Sequence, residues 1–230
     1  MSFRRKPGAP KHLTVITLPS GKHTGILKDF LVEIENEDSV KNLQENGCFG
    51  TRISRRKAEE SHEKEILLIS KEEAFFMQFC LKCLTISNKD GKIFSTEDIF
   101  DVFRKQKRNF ISTFIAYCYL KSKGWIIKSG LKFAGDFLLY KEGPQAYHSS
   151  YVVSVQDDNP ENTDQTPFTG RDLQGFHRVA EASGKDVLIL TVRYPKGFNS
   201  QDFKFQDNAF RNFSVTESRP MRFTFNPNVI

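Results

Sequence analysis

The run FISTFIAYCYL, residues 110 to 120, limits the fold more than any other stretch. Wound as a helix, it carries apolar side chains around most of its circumference. A helix of that kind needs other layers of the chain on nearly every side. It stops at Gly124, a residue suited to the left-handed turn that closes a helix. A chain of 230 residues is long enough to supply the cover. Its 22 Phe residues belong largely to that core, because no apolar run approaches the roughly 20 residues of a membrane span.

Around this helix the pattern changes along the chain. HLTVITLP and FLVEIE read as strands, and EDSVKNLQENG reads as a short helix closed by Gly47. RISRRKAEESHEKE has little apolar content and reads as a linker or solvated helix, with Arg52, Arg55, Arg56 and Lys57 as a candidate RNA-contacting arm. From Leu67 to Gly124 the chain reads as helical, with capping signals at Ser70 and Ser95. A hairpin is expected over Trp125 to Phe137. LKFAGDFLLY and YHSSYVVSV then read as strands joined by KEGPQA, where Gly143-Pro144 marks the turn. RDLQGFHRVAEASGK follows as a helix, with Thr169 or Asp172 near its start and Gly184 just past its end. DVLILTVRY, FKFQ and FSVTESRPMRFTF complete the strand candidates. The fold class expected is α+β, with an N-terminal region and linker (1–64), a helical unit (65–126) and a C-terminal mixed-sheet domain (127–230).

The net charge of +6 favours polyanionic partners, nucleic acid first and acidic membrane surfaces second. The first dozen residues lack the apolar core of a secretory signal. Cys80 and Cys83 form a CxxC inside an apolar run and are expected to pack as small hydrophobes. No second Cys/His pair stands nearby at zinc-finger spacing. Few cysteines point to a reducing compartment.

A phosphodiester in RNA can be cut without metal by its own 2′-hydroxyl. A base takes the 2′ proton, an acid protonates the leaving 5′-oxygen, and a cation steadies the crowded phosphorane. Tyr140, His148 and Lys185 supply types suited to those tasks, each at the end of an expected element. Tyr, with an ordinary pKa of roughly 10, is a poor base unless something shifts it. The alternative, metal-dependent hydrolysis, needs clustered carboxylates. Its strand-end candidates, Asp136, Glu142 and Asp186, form no convincing acidic cluster in the sequence.

The segment GWIIKSGLKFAGDFLLYKEGPQAYHSSYVVSV resembles the signature of the tRNA-intron (tRNA-splicing) endonuclease family, in the version of the eukaryotic catalytic subunit assigned to the 5′ splice site. The matching elements are Ser122-Lys123-Gly124-Trp125, Gly130-Leu131-Lys132-Phe133, Asp136 to Tyr140, and Gly143-Pro144-Gln145-Ala146-Tyr147-His148. Gln145 replaces a family proline, and Ala134 is an extra residue before Gly135. SKEEAFFMQFCLKCL, KDFLVEIE, NGCFG and SGKDVLIL extend the resemblance over most of the chain. The long insertion often found between N-terminal region and helices is here short, around residues 51 to 64.

The resemblance implies a C-terminal nuclease domain that cuts pre-tRNA at an intron boundary without metal or other cofactor, leaving 2′,3′-cyclic phosphate and 5′-hydroxyl ends. It implies Tyr140 as general base, His148 as general acid and Lys185 as the transition-state cation. Where the family carries an Arg-Trp pair that grips a bulged base, this chain reads Ser218-Arg219-Pro220. Arg219 keeps a cation, and Phe223 is the substitute aromatic. The implied partners are a second catalytic and two structural subunits. The implied location is the nucleus, with the cytoplasm or mitochondrial outer surface as alternatives. The competing reading is a non-catalytic RNA-binding or scaffold subunit on the same fold.

Overall fold

A computed structural model of the protein describes residues 4–9, 17–55, 64–161, 169–200, 203, 205 and 208–220. The described elements run β1 (His23–Lys28), β2 (Leu31–Ile34), α1 (Glu37–Glu45), β3 (Thr51–Arg55), β4 (Lys64–Ile69) and α2 (Lys71–Phe75). A wide π turn, Phe76–Cys80, extends α2. There follow β5 (Leu84–Ser87), α3 (Thr96–Gln106), α4 (Phe110–Ser122), β6 (Ile126–Ser129), β7 (Phe137–Tyr140), β8 (Tyr151–Asp158), α5 (Gly170–Ala182), β9 (Asp186–Arg193) and β10 (Ser214–Ser218).

Two mixed five-stranded sheets result, ordered β3-β4-β2-β1-β5 and β10-β9-β8-β7-β6. Each contains one parallel pair, β1 with β5 and β8 with β9. Helices and mixed sheets together make the fold α+β, as expected.

The local start and stop signals act as read. Ser70 caps α2 in a reciprocal capping box with Glu73, and Ser95 accepts from the Asp98 amide at the head of α3. Thr169 and Asp172 cap α5 in the same reciprocal way. The helix α4 is buried on most sides, from Phe110 and Phe114 to Tyr117 and Leu120.

The helical reading of Leu67 to Gly124 needs correction. KEILLI is strand β4, paired between β2 and β3, and LTIS is β5, paired with β1. Short apolar runs of this kind carry no period long enough to separate helix from strand. Strand β1 itself has no counterpart in the sequence reading. RISRR, expected as linker or solvated helix, opens as β3, where Arg52 pairs with Glu65 at 3.1 Å. Arg56 and Lys57 lie outside the described residues, as do residues 12–16 of the first expected strand.

FKFQ gives no strand among the described residues. Phe205 instead stacks into an aromatic cluster, with ring centroids 5.4 Å from Phe75, 4.8 Å from Phe79 and 5.3 Å from Phe100. The CxxC splits. Cys83 is buried as expected, whereas Cys80 is exposed at the end of the π turn.

One face of the second sheet packs on α4 through Phe137, Leu139, Tyr151, Val153, Leu188 and Leu190. The alternate residues Leu138, Val152 and Val187 face α5 through Phe176 and Ala180. The α4-side cluster also takes in Val32, Ile34, Leu67 and Ile69 of the first sheet, so the core is continuous across both.

A buried carboxylate ties these layers. Glu72 of α2 accepts from Lys107 at 2.6 Å and from Thr113 of α4 at 2.8 Å. Burial pushes its pKa up, but the Lys107 charge and these hydrogen bonds win and hold it below the ordinary value. A lowered folded-state pKa contributes stability above the unfolded pKa, and that stability is lost as pH falls through the folded value. Lys107→Ala should therefore destabilise the protein at neutral pH by about 3 kcal/mol, as expected when one partner of a buried pair is removed. In acid the gap between variant and parent should narrow. Chemical denaturation at neutral pH and at pH 4 checks both expectations.

Candidate active site

The C-terminal end of β7 and the N-terminal ends of β8 and β9 lie at one end of the second sheet. In β7, Tyr140 is the last residue, and its neighbour Leu139 pairs with Tyr151, the first residue of β8. Tyr151 in turn pairs with Asp186, the first residue of β9. Two loop hydrogen bonds lock the approach, from the Ser150 amide to the Leu139 carbonyl at 2.8 Å and from the Asp186 amide to the Ser150 carbonyl at 3.0 Å. Tyr140, His148 and Lys185 therefore stand at the mouths of three neighbouring strands.

Lys185 owes its place to the end of α5. The amide of Gly184 bonds to the Glu181 carbonyl at 2.9 Å, and the amide of Lys185 to the Ala180 carbonyl at 2.9 Å. This is a Schellman closure, and it requires the left-handed conformation that Gly184 adopts at φ 65°. The next residue enters β9. Lys185 thus sits between a helix that cannot continue and a strand that has just begun.

Side-chain alternation puts Tyr140 with Leu138 on the α5 face of the sheet, where it joins the smaller apolar cluster beside Phe133. Lys185 lies on the same face as Val187 by the same rule. Its ammonium sits 4.2 Å from the centre of the Phe133 ring and donates to the Ser183 carbonyl at 3.0 Å. Partial burial lowers its pKa.

Burial raises the Tyr140 pKa above that of a free phenol, and a hydrogen bond with the Ser149 side chain offsets part of the rise. Ser149 is itself buried, at 5% exposure. It was not singled out in the sequence, although it is the next residue after His148. His148 is exposed. Its amide bonds to the Arg4 carbonyl at 3.0 Å, so a segment more than a hundred residues away holds the backbone here.

Arg219 reaches the same end of the sheet on the opposite face. Strand β10 runs antiparallel to β9, with Ser218 opposite Ile189. The Arg219 guanidinium lies 5.3 Å from the centre of the Tyr151 ring, and Trp125 meets that ring edge-on at 5.7 Å. Its aromatic neighbour in this chain is therefore Tyr151, while Phe223 lies outside the described residues.

Of the carboxylates weighed for a metal route, Asp136 stands apart from the other two. Asp136 precedes β7, at the other end of the sheet from Tyr140, and accepts from the Val155 amide at 2.7 Å. Glu142 pairs with Lys141 at 3.7 Å, and Asp186 is exposed at the start of β9. Among the described residues no group of three or more His, Cys, Asp or Glu side chains is arranged to hold a metal ion. None of the described helices is long and apolar enough to cross a membrane.

Comparison with known proteins matches two family models, the tRNA intron endonuclease N-terminal domain over residues 23–100 and the tRNA intron endonuclease catalytic C-terminal domain over residues 110–197. The tRNA-splicing endonuclease subunit Sen2-1 of Arabidopsis thaliana is 33% identical over 196 residues, covering 82% of this chain and 79% of the relative. The subunit Sen2 of Gallus gallus is 35% identical over 140 residues, which cover 60% of this chain and 30% of the relative. An archaeal tRNA-splicing endonuclease from Methanopyrus kandleri is 30% identical over 103 residues, 45% of this chain and 54% of the relative. The chain thus spans about a third of the vertebrate relatives it matches. With both domain models in order along the sequence, and with such identity over most of a plant relative, the chain belongs to the tRNA intron endonuclease family.

Proposed function

We propose that the protein is a catalytic subunit of a tRNA-splicing endonuclease, cutting pre-tRNA at an intron boundary, the 5′ splice site, by metal-independent transfer to the 2′-hydroxyl. One observation carries the reading: a phenol, an imidazole and an ammonium stand at the ends of three adjacent strands, within a domain of the catalytic family type. The relatives named as Sen2 subunits support assembly with others, and the reading includes a second catalytic subunit and two structural ones. The site of action proposed with it is the nucleus.

The chemistry follows from the groups. The 2′-oxygen attacks the adjacent phosphorus as its proton passes to Tyr140. The bond to the 5′-oxygen breaks, and His148 gives that oxygen its proton. The Lys185 ammonium carries three donors and faces the extra negative charge of the phosphorane. The products are a 2′,3′-cyclic phosphate and a 5′-hydroxyl. In this reading substrate choice rests on RNA shape and unpaired bases. Arg219 over Tyr151 is the proposed RNA-gripping cation on the far face.

His148→Ala in the assembled complex should leave assembly and RNA binding intact while cleavage at one splice site falls roughly 10²–10⁴-fold. A single 2′-deoxy nucleotide at that site should abolish cutting, and EDTA should leave it unchanged. Normal cutting by His148→Ala overturns the assignment of roles, and loss of cutting in EDTA overturns the metal-free route.

Tyr140 makes a separate prediction through its raised pKa. As a base it must ionise, and its ionised fraction grows about tenfold per pH unit throughout the range below its pKa. With His148 replaced by Ala, so that no acid titrates in opposition, residual single-turnover cleavage should rise with pH between 6 and 9, and adding Tyr140→Phe should slow it and flatten the profile. Parallel profiles would show instead that the phenol only orients the 2′-hydroxyl.

A further inference from the structure

The basic segment at the start of the chain is laid against the candidate site. Arg5 forms an antiparallel bridge with Tyr147, the Lys6 amide bonds to the Ala146 carbonyl at 2.8 Å, and the His148 amide bonds to the Arg4 carbonyl at 3.0 Å. These contacts form an isolated antiparallel bridge beside the loop that carries His148.

The side chain of Arg4 then crosses to the α5–β9 turn. Its Nη1 atom lies only 2.8 Å from where a Cβ on Gly184 would stand. The guanidinium therefore occupies space that any larger residue before Lys185 would contest. Arg4 is hydrogen-bonded through its backbone carbonyl to His148, and its side chain lies beside Gly184, the residue before Lys185. Arg4 is also exposed.

From this placement we infer that Arg4 is a further phosphate-binding residue of the site, holding an RNA phosphate next to the one that is cut. Guanidinium suits the task, since its planar fork presents paired donors to phosphate oxygens and stays charged at any working pH. A second role is available to the same side chain: a cation at the C-terminal end of α5 complements the helix dipole. That role predicts an effect on stability alone, whereas a phosphate contact must appear in the salt dependence of RNA binding. The inference rests on the endonuclease reading for the identity of the RNA.

The test uses the complex purified through a tag on this chain, with pre-tRNA carrying a 2′-deoxy nucleotide at the cut site, so that binding is read without cleavage. Arg4→Ala should weaken binding and make the slope of log affinity against log salt shallower by about 0.7 to 0.9, the loss of one phosphate contact. Arg4→Lys should restore most of the slope. With cleavable RNA, kcat/KM for Arg4→Ala should fall about 10- to 100-fold, the range for a hydrogen bond to a charged group. The backbone bridge remains available to Ala, so the change isolates the side chain.

An unchanged slope for Arg4→Ala overturns the inference, whether or not thermal stability drops. His148→Ala, run alongside, separates this from the underlying reading. If it binds but does not cut while Arg4→Ala keeps the parent slope, only the Arg4 assignment fails. If it cuts normally, the catalytic reading fails, and the slope still decides whether Arg4 meets a phosphate.

Discussion

The parallel pairing of β8 with β9 sets Asp186 against Tyr151 and so determines where Lys185 falls relative to His148. Parallel strands need a crossover, and here it passes through α5 on one face of the sheet. The crossover ends in a Schellman closure that leaves one residue, Lys185, before the strand begins. Register matters more than distance along the chain. A slip of one residue in β9 would turn Lys185 toward α4, away from Tyr140, and would expose Leu188 and Leu190 to the wrong layer. The apolar residues on both faces of β8 and β9 oppose that slip, so the core that stabilises the sheet also aims the cation.

The N-terminal sheet bears on the same end of the molecule. The Lys128 ammonium of β6 donates to the Cys48 carbonyl and, at 2.6 Å, to the Gly50 carbonyl. Cys48 in turn reaches Gln145 of the loop before His148 at 3.7 Å. Gly50 has a left-handed backbone, and a Cβ there would stand 2.8 Å from the Leu68 carbonyl, so the chain can pass this close to β4 only as glycine. The turn between β7 and β8 is therefore braced from two sides, by the first sheet at Gln145 and by residues 4–6 at Ala146 to His148.

What the sequence made legible was local. Ser70, Ser95 and Thr169 cap helices through groups three residues away, and Gly47, Gly124 and Gly184 end them with a positive φ. The candidate roles of Tyr140, His148 and Lys185 came from resemblance over a long mixed signature, because residue type and position alone left them as ordinary strand-end residues. What stayed hidden was non-local. KEILLI and LTIS become strands because β2 and β1 are there to receive them, not through any period of their own. Ser149 acquires a part only because Tyr140 is folded over it. Arg4 belongs to the short basic run RRK, and nothing within that run announces the bridge from Arg5 to Tyr147 or the approach of the Arg4 side chain to Gly184.

The electrostatics of the strand ends give the cations a second task. Burial drives Tyr140 and Lys185 in opposite directions on the pH scale but toward the same outcome, since each loses preference for its charged form. An arriving phosphate restores the preference of Lys185 for its charge and makes phenolate at Tyr140 still harder to form. On the proposed chemistry, in which Tyr140 is the base, a phenol that must ionise beside an anion needs positive charge in excess of what the scissile phosphate itself consumes. Lys185 alone would be matched one for one by that phosphate. Arg4, reaching Gly184 from the far end of the chain, brings a charge that deprotonation cannot remove.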